Sequence, residues 1–547
     1  MVEQQNPPRE RTSSLGRASG AMAVATLASR VSGLFAKLLL VWVLGLGVVN
    51  DSYTVANTLP TVVNELLLGG VLTSVAVPLL VSARQRGESE GESYAQWMIT
   101  MGLVLLVTAT VLAVASAPLL TELYLGPHTR ANSALTTALA YLLLPGIVFY
   151  GLSALLMAIL NVRQVFGPPA WAPVLNNVVI TATVLLYTAM PGTVSLDPVR
   201  MGEPKLLVLG LGTMSGIAAQ SLVMALSLRR TGFRFRWNWG WDHRLSEFGA
   251  LAGWVLVYTL ISQVGMIVTI RVAGQGTAGS VATFHYAWLL SQVPYGVLGV
   301  SLLQALMPRI SRSADRGDTG SFVDDLGLGE RLSALLLTPV SALMLIGGPV
   351  IGVAFFSLGQ GSTAAADRLG VTLGVAAAGI VPFAITMLQL RAFYAMKDAR
   401  TPAVINAVMV TFRALLCYGM LVTLDPRHLV IGVTLAMSLS FLLGAVVGQL
   451  WLHLRLGPVQ TRRTAGGIGW ALLSSTAGCV LAVLVLHPLS PGLDALGEVP
   501  GAWVDLVIRT VITLGVGFGS MLLLPVPETV IARQRLRRMW HRLRHGC

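Results

Sequence analysis

Arg30 and Lys37 are the only formal charges between Ala18 and Gly47, the first long apolar stretch of the chain. Seven residues of helix turn through about 700°, a net offset of about −20°, so both side chains leave the same face about 10 Å apart. A cation inside a membrane span is costly and is rarely there without a task. Such a cationic stripe is built to meet an anion or to pair with a carboxylate. A guanidinium suits a phosphate, to which it donates two parallel hydrogen bonds. Further polar groups inside apolar stretches are few. Asp51, Asn57, Asn64 and Glu65 belong to the second stretch, Gln263 and Arg271 to the seventh, and His285, Gln292 and Gln304 to the eighth. The candidate anion-binding set is therefore Arg30, Lys37 and Arg271, with Asp51, Asn64, Glu65, His285 and Gln292 as polar or gating residues of the same cavity. Each also has a plainer reading. Arg30 could bridge to Glu65, Lys37 could reach up to an interface, Asp51 could cap its helix, and His285 could be a hydrogen-bonded packing residue.

Catalytic chemistry is absent from the pattern. There is no Gly-x4-Gly-Lys-Ser/Thr phosphate loop and no His-Glu-x2-His helix. Cys417, Cys479 and Cys547 form no metal-ligand spacing or disulfide framework. The expectation is a non-enzyme without cofactor or metal, driven by an ion gradient, the membrane potential or substrate gradients.

The elements that must position these residues are helices. Of 547 residues, 54% are hydrophobic and 11% charged, with mean hydropathy +0.73. A soluble domain carries about 25% charged residues. The chain reads as an all-α polytopic membrane protein. Stretches long enough to cross a bilayer fall at 20–47, 52–82, 96–117, 134–160, 170–190, 206–228, 247–273, 280–308, 330–356, 369–395, 402–423, 429–452, 466–487 and 503–525, about fourteen in all. Residues 1–17 lack a cleavable leader pattern, and the first span is expected to act as an uncleaved anchor.

Of the 37 Lys and Arg residues, 27 fall on one set of loops and five on the other. This bias places both termini in the cytoplasm. The net charge of +13 is then a topology signal and an attraction to anionic headgroups, with no nucleic-acid partner. Lysine is scarce beside arginine, and Ala, Gly and Val abound, which suggests a high-GC bacterial genome.

Matches at a shift of 234 residues pair Lys37 with Arg271, Gly45 with Gly279, Pro60 with Pro294, Ala158 with Ala392, Arg163 with Lys397 and Pro168 with Pro402. A four-residue slip pairs Gly69 with Gly299 and Pro78 with Pro308. The expected organisation is a cytoplasmic basic N-terminus (1–19), two parallel six-helix halves (20–228 and 247–452) joined by a basic cytoplasmic linker (229–246), two added helices (466–525) and a basic cytoplasmic tail (526–547). Parallel repeats place a substrate site between the halves. Gly212-x3-Gly216 and Gly444-x3-Gly448 are expected to bring helices close.

Several strings together resemble the MurJ (MviN) family of lipid II flippases, within the multidrug/oligosaccharidyl-lipid/polysaccharide exporter superfamily. They are Ala28-Ser29-Arg30-Val31-Ser32-Gly33, Leu44-Gly45-Leu46-Gly47 with Asp51, Leu59-Pro60, Gly69-Gly70 with Val77-Pro78, the run Gln292 to Ser301, Met307 to Ser311, and Arg391 to Asp398 with Thr401-Pro402. The resemblance implies outward translocation of undecaprenyl-diphosphate-linked peptidoglycan precursor across the bacterial cytoplasmic membrane by alternating access. Its implied partners are lipid II, membrane lipids and proteins of cell-wall synthesis or division. It assigns Arg30 to a functional arginine and Asp51 to an acidic position. The two added helices would help form a groove for the lipid tail.

The chain also departs from the family. Ala36 stands where a second arginine is often found, Asn64-Glu65 where paired arginines are, and Trp288-Leu289 near another. Spans seven and eleven hold no acid beyond Glu247, which argues against a sodium site. The competing readings are another lipid-polysaccharide or drug exporter of the superfamily, and a non-transporting scaffold for cell-wall synthesis.

Overall fold

The structure, a computed structural model, describes residues 10–69, 77–240, 249–457 and 461–523. Residues 1–9, Gly70, the linker from 241 onward with Glu247, and the tail 526–547 with Cys547 lie outside the described residues. Every regular element described is a helix. The chain divides into two compact units, residues 1–127 with 131–259, and residues 128–130 with 260–547.

The first unit contains α1 (Glu10–Leu44), α2 (Val48–Asn64), α3 (Val77–Arg86), α4 (Glu88–Ala115), α5 (Ala117–Leu125), α6 (Ser133–Leu143), α7 (Gly146–Val162), α8 (Gly167–Ala189) and α9 (Pro204–Arg230). One π-helical turn, Glu65–Gly69, continues α2. The helices pack in a series: α1 lies on α8, α8 on α9, α9 on α7 and α7 on α4. Bilayer hydrocarbon gives helices no hydrophobic reason to associate, so small residues that permit close approach carry the contact. Gly212 and Gly216 do this on α9, where Thr183 and Asn176 of α8 occupy the space a Cβ would need.

The second unit takes in the rest of α10 (Gly249–Ala273), then α11 (Ser280–Pro294), a second π turn (Tyr295–Gly299), α12 (Val300–Asp315), α13 (Thr319–Phe356), α14 (Thr363–Ala378), α15 (Ile380–Ala395) and α16 (Arg400–Thr423). It ends with α17 (Leu429–Leu456), α18 (Thr461–Leu486), α19 (Ser490–Ala495) and α20 (Glu498–Leu523). Gly444 and Gly448 of α17 face Met409 of α16 and Gln389 of α15 with no room for a side chain. The closest approach joins α13 and α14. Gly348 and Gly352 meet Gly370 and the Ala366 carbonyl, backbone against backbone.

Among the described residues, eleven helices are long and apolar enough to cross a membrane, and thirteen if two bent pairs, α6 with α7 and α14 with α15, are each one span. The fold class is the expected one, although fourteen spans are not counted. The expected span at 52–82 is the one missing, because residues 70–76 lie outside the described set.

Candidate functional site

The residues around Arg30 fasten α1 to α8. Asn177 of α8 donates from Nδ2 to the Ser29 carbonyl and to the Ser32 hydroxyl, both at 3.0 Å. Gly33 faces the same amide. Ser29, Ser32 and Gly33 form one stripe at helical spacing, and at 100° per residue Arg30 falls about 100° round from Ser29. Beyond Arg30 lie exposed Leu27 and Val31. The guanidinium thus leaves the flank between the α8 contact and the exposed apolar face. Arg30 is exposed, and it makes no hydrogen bond or ion pair with any described residue. The bridge to Glu65 is therefore not formed. Lys37, one face-repeat along, is half-buried and likewise has no protein partner among the described residues.

Helix α2 begins at Val48, four residues before the expected start, with Gly47 at its N-cap and no side-chain cap. Asp51 consequently sits inside the first turn and is buried. No side chain takes the capping role offered to Asp51, and Asn50, which the sequence reading passed over, instead ties the first turn of α2 to the segment before it. Its amide donates to the Gly45 carbonyl at 2.6 Å and its Oδ1 accepts from Thr54 at 3.3 Å. At the far end of α2, Asn64 is half-buried and its Oδ1 accepts no hydrogen bond. Glu65 is exposed and opens the π turn.

In the second unit, Arg271 lies in the last turn of α10, half-buried, again without a hydrogen bond or ion pair to a described residue. His285 is half-buried and packs edge-on to Tyr286 at 5.6 Å. Gln292 has a buried Nε2 that donates to no protein acceptor. It stands just before the π turn that starts at Tyr295. That turn rests on an aromatic group: Tyr295 meets Phe383 edge-on at 4.8 Å, Phe383 meets Phe441 at 4.9 Å, and Trp288 stacks on Phe441 at 5.6 Å. Trp288, near a position where the family often has arginine, is thus an aromatic packing residue here. Arg30, Lys37, Asp51, Asn64 and Glu65 belong to the first unit, and Arg271, His285 and Gln292 to the second.

Pi-helical turns are uncommon and concentrate at functional sites. Here they close on Gly69 and Gly299, the glycines paired in the slipped alignment. A second local structure also recurs. After α7, Gln164 is left-handed (φ 61°), with Gln164 N bonded to Asn161 O and Val165 N to Leu160 O. After α15, Lys397 is left-handed (φ 60°), with Lys397 N bonded to Tyr394 O and Asp398 N to Phe393 O. The two turns match bond for bond at a spacing of 233, one less than the pairing of Arg163 with Lys397 drawn from sequence.

A cavity of about 620 Å³ opens within the second unit between α13, α15, α17 and α18. Its wall is largely apolar, with Leu345, Ile385, Leu442, Ile468 and Leu472. A polar group sits in that wall: Gln389 Nε2 donates to Glu330 Oε1 and to Gln449 Oε1, both at 2.9 Å. Glu330 and Gln389 are buried. Neither was singled out in the sequence, although a carboxylate and two amides within apolar spans were visible there. Cys417 and Cys479 are buried free thiols.

The family profile described as Lipid II flippase MurJ matches residues 40–491. The chain belongs to this family. A relative named Probable lipid II flippase MurJ, from Rhizobium meliloti, is 23% identical over 391 residues, covering 71% of each chain. Among solved structures, a Lipid II flippase MurJ in an inward closed conformation superposes with TM-score 0.69 at 19% identity, covering 92% of this chain and 98% of its own. An inward-facing multidrug resistance MATE transporter of the MOP superfamily gives TM-score 0.64 at 15% identity over 79% of this chain and 95% of its own. These likenesses establish the fold, and the MurJ family places the chain among multi-pass proteins of the bacterial inner membrane and among transporters rather than catalysts.

Proposed function

We propose that this chain translocates lipid II from the cytoplasmic to the outer leaflet, with Arg30, Lys37 and Arg271 holding the diphosphate. One observation carries the reading: all three are cations of apolar helices, and none has a protein partner among the described residues. A cation kept in or near a bilayer without an internal counter-ion is expensive unless a ligand supplies the anion. A diphosphate on a polyprenyl chain is such a ligand. Asp51, Asn64, Glu65, His285 and Gln292 serve as polar or gating residues in this scheme. The apolar cavity lined in part by α18 suits the polyprenyl tail.

In the same reading the two six-helix halves are parallel repeats and both termini face the cytoplasm. The halves rock between inward-open and outward-open states, and the states' different affinities for the headgroup supply the coupling. The basic tail docks proteins of cell-wall synthesis. The test is a depletion strain complemented with Arg30→Ala. Lipid II should accumulate on the cytoplasmic side while the variant remains in the membrane. Normal growth and normal outward lipid II in that strain would sink the role given to Arg30.

A further inference from the structure

The chain leaving α9 does not go directly to the next helix. Arg229 and Arg230 end α9, Gly232 turns the chain at φ 84°, and residues 233–240 run on without helix. This segment is strapped to α4. Gln96 Nε2 donates to the Arg234 carbonyl at 3.0 Å, and Trp97 Nε1 to the Gly240 carbonyl at 2.6 Å. Asn238 donates from its backbone to Thr100 Oγ1 at 3.2 Å and from its amide to the Ser93 carbonyl at 3.0 Å. Phe233 anchors the inner end, buried beneath the Arg163 guanidinium at 5.1 Å. The strap is therefore fixed through its backbone, Asn238 and Phe233, which leaves its other side chains outward.

Those side chains have a pattern. Phe235, Trp237 and Trp239 alternate along the strap and are 39%, 61% and 63% exposed. They form a continuous ladder, with ring centroids 5.5 Å apart between Phe235 and Trp237 and 6.1 Å between the stacked Trp237 and Trp239. Exposed Arg234 and Arg236 stand between the rings.

The face of α4 beneath the strap tells what the ladder meets. Ser93, Trp97 and Thr100 continue at helical spacing into Val104, Val107 and Val111, and these three valines are exposed. The strap thus covers the end of an apolar stripe at the point where α4 passes from Glu88, Glu90 and Glu92 into its membrane span. At that depth a bilayer presents its headgroups and the start of its acyl chains, where tryptophan concentrates.

We propose that residues 229–240 form an interfacial anchor for anionic phospholipid of the leaflet nearest the α9 C-terminus. Phe235, Trp237 and Trp239 sit among the upper acyl carbons. Arg229, Arg230, Arg234 and Arg236 bind the phosphates above them. The naming of that leaflet as cytoplasmic rests on the orientation given under Proposed function, and the anchor itself does not.

The full chain is reconstituted in vesicles of phosphatidylcholine with or without phosphatidylglycerol, without lipid II. Lipid retained through detergent extraction is read by native mass spectrometry, and tryptophan quenching is read with brominated acyl chains. Arg234→Gln/Arg236→Gln should lower the preference for phosphatidylglycerol roughly thirtyfold, since each basic group near the surface contributes strongly. Trp237→Ser/Trp239→Ser should lower the shallow-bromine component of quenching, to which the other ten tryptophans still contribute, while the charge preference persists. Unchanged preference in the arginine variant together with unchanged quenching in the tryptophan variant overturns the anchor. So does a protein cross-linked through Trp237 or Trp239 in cells with neither lipid effect present. A chain that shows both lipid effects yet moves no lipid II leaves the anchor standing and rejects only the transport reading.

Discussion

Asn177 of α8 holds Ser32 of α1 at 3.0 Å, and through that bond it fixes the helix face from which Arg30 departs. The same nitrogen also reaches the Ser29 carbonyl at 3.0 Å. Interhelical hydrogen bonds in membranes contribute about 0.6 kcal/mol each. Asn177→Ala should therefore cost roughly 1 kcal/mol of stability, yet it frees the α1 turn that carries the guanidinium. The expected outcome is a well-inserted protein with lipid II transport lowered several-fold. Detergent unfolding curves and flipping rates measured side by side would separate the two. Transport lost only in proportion to folded protein would reject the positioning role.

Arg30 should not be replaceable by lysine. A guanidinium presents a planar fork to a phosphate, while an ammonium is a point charge. Losing one charge-assisted hydrogen bond of about 1.5–3 kcal/mol corresponds to a loss of about tenfold or more in diphosphate affinity for Arg30→Lys. Arg30→Ala should show no measurable binding. Titration of the purified chain with a short-chain polyprenyl diphosphate reads both. Equal affinity for wild type and Arg30→Lys would show that charge alone suffices.

The two π turns make a separate prediction. A single-turn π element accommodates one extra residue inside an α-helix and leaves the register on either side in place. Deleting Leu67 should remove the wide turn at the end of α2, and deleting Val297 should restore an uninterrupted α-helix from α11 into α12 without moving the flanking faces. We expect each deletion to give folded, membrane-inserted protein that fails to complement a depletion strain, because a helix without its wide turn bends less readily. Full complementation by both deletions would show the turns to be dispensable.

Asp398 gives the pH dependence. It follows α15 in the turn and caps α16, accepting from Thr401 N at 3.0 Å and Thr401 Oγ1 at 2.7 Å, and it is ion-paired to Arg455. Burial by itself would raise its carboxyl. The hydrogen bonds from Thr401 and the Arg455 charge outweigh burial and hold the pKa below the ordinary value. Folding thus favours the carboxylate. Its contribution is complete above the unfolded pKa of about 3.9 and fades as pH falls through the lower folded value. Asn at this position keeps the cap and loses the ion pair. Asp398→Asn should be less stable than wild type at pH 7 by about 1 kcal/mol or less, and the two should converge below about pH 4. Thermal unfolding across that range checks the sign.

The sequence was most legible where one physical quantity dominates. Twenty apolar residues in a row identify a span regardless of neighbours, so helices such as α4, α9 and α17 stand where hydropathy put them. Arg30, Lys37 and Arg271 were legible for the same reason, as charges in apolar surroundings. The start of α2 was less so, because the string Val48-Val49-Asn50-Asp51 reads equally as loop or first turn until Asn50 is seen bonded to Gly45. The π turns were hidden in Glu65–Gly69 and Tyr295–Gly299, whose residue types do not specify a wider ring. The Glu330–Gln389–Gln449 group was missed because its members come from three helices and meet only by tertiary packing.

The glycine contact between α13 and α14 has a mechanical meaning. Side chains can change rotamer and let two helices slide, but Gly348 and Gly352 offer Gly370 nothing except peptide backbone. No rotamer change can loosen such a seam. That contact can open only if one backbone moves away from the other, whereas a joint made of side chains, such as the Phe383–Phe441 rings beneath Tyr295, can also yield by rotamer change.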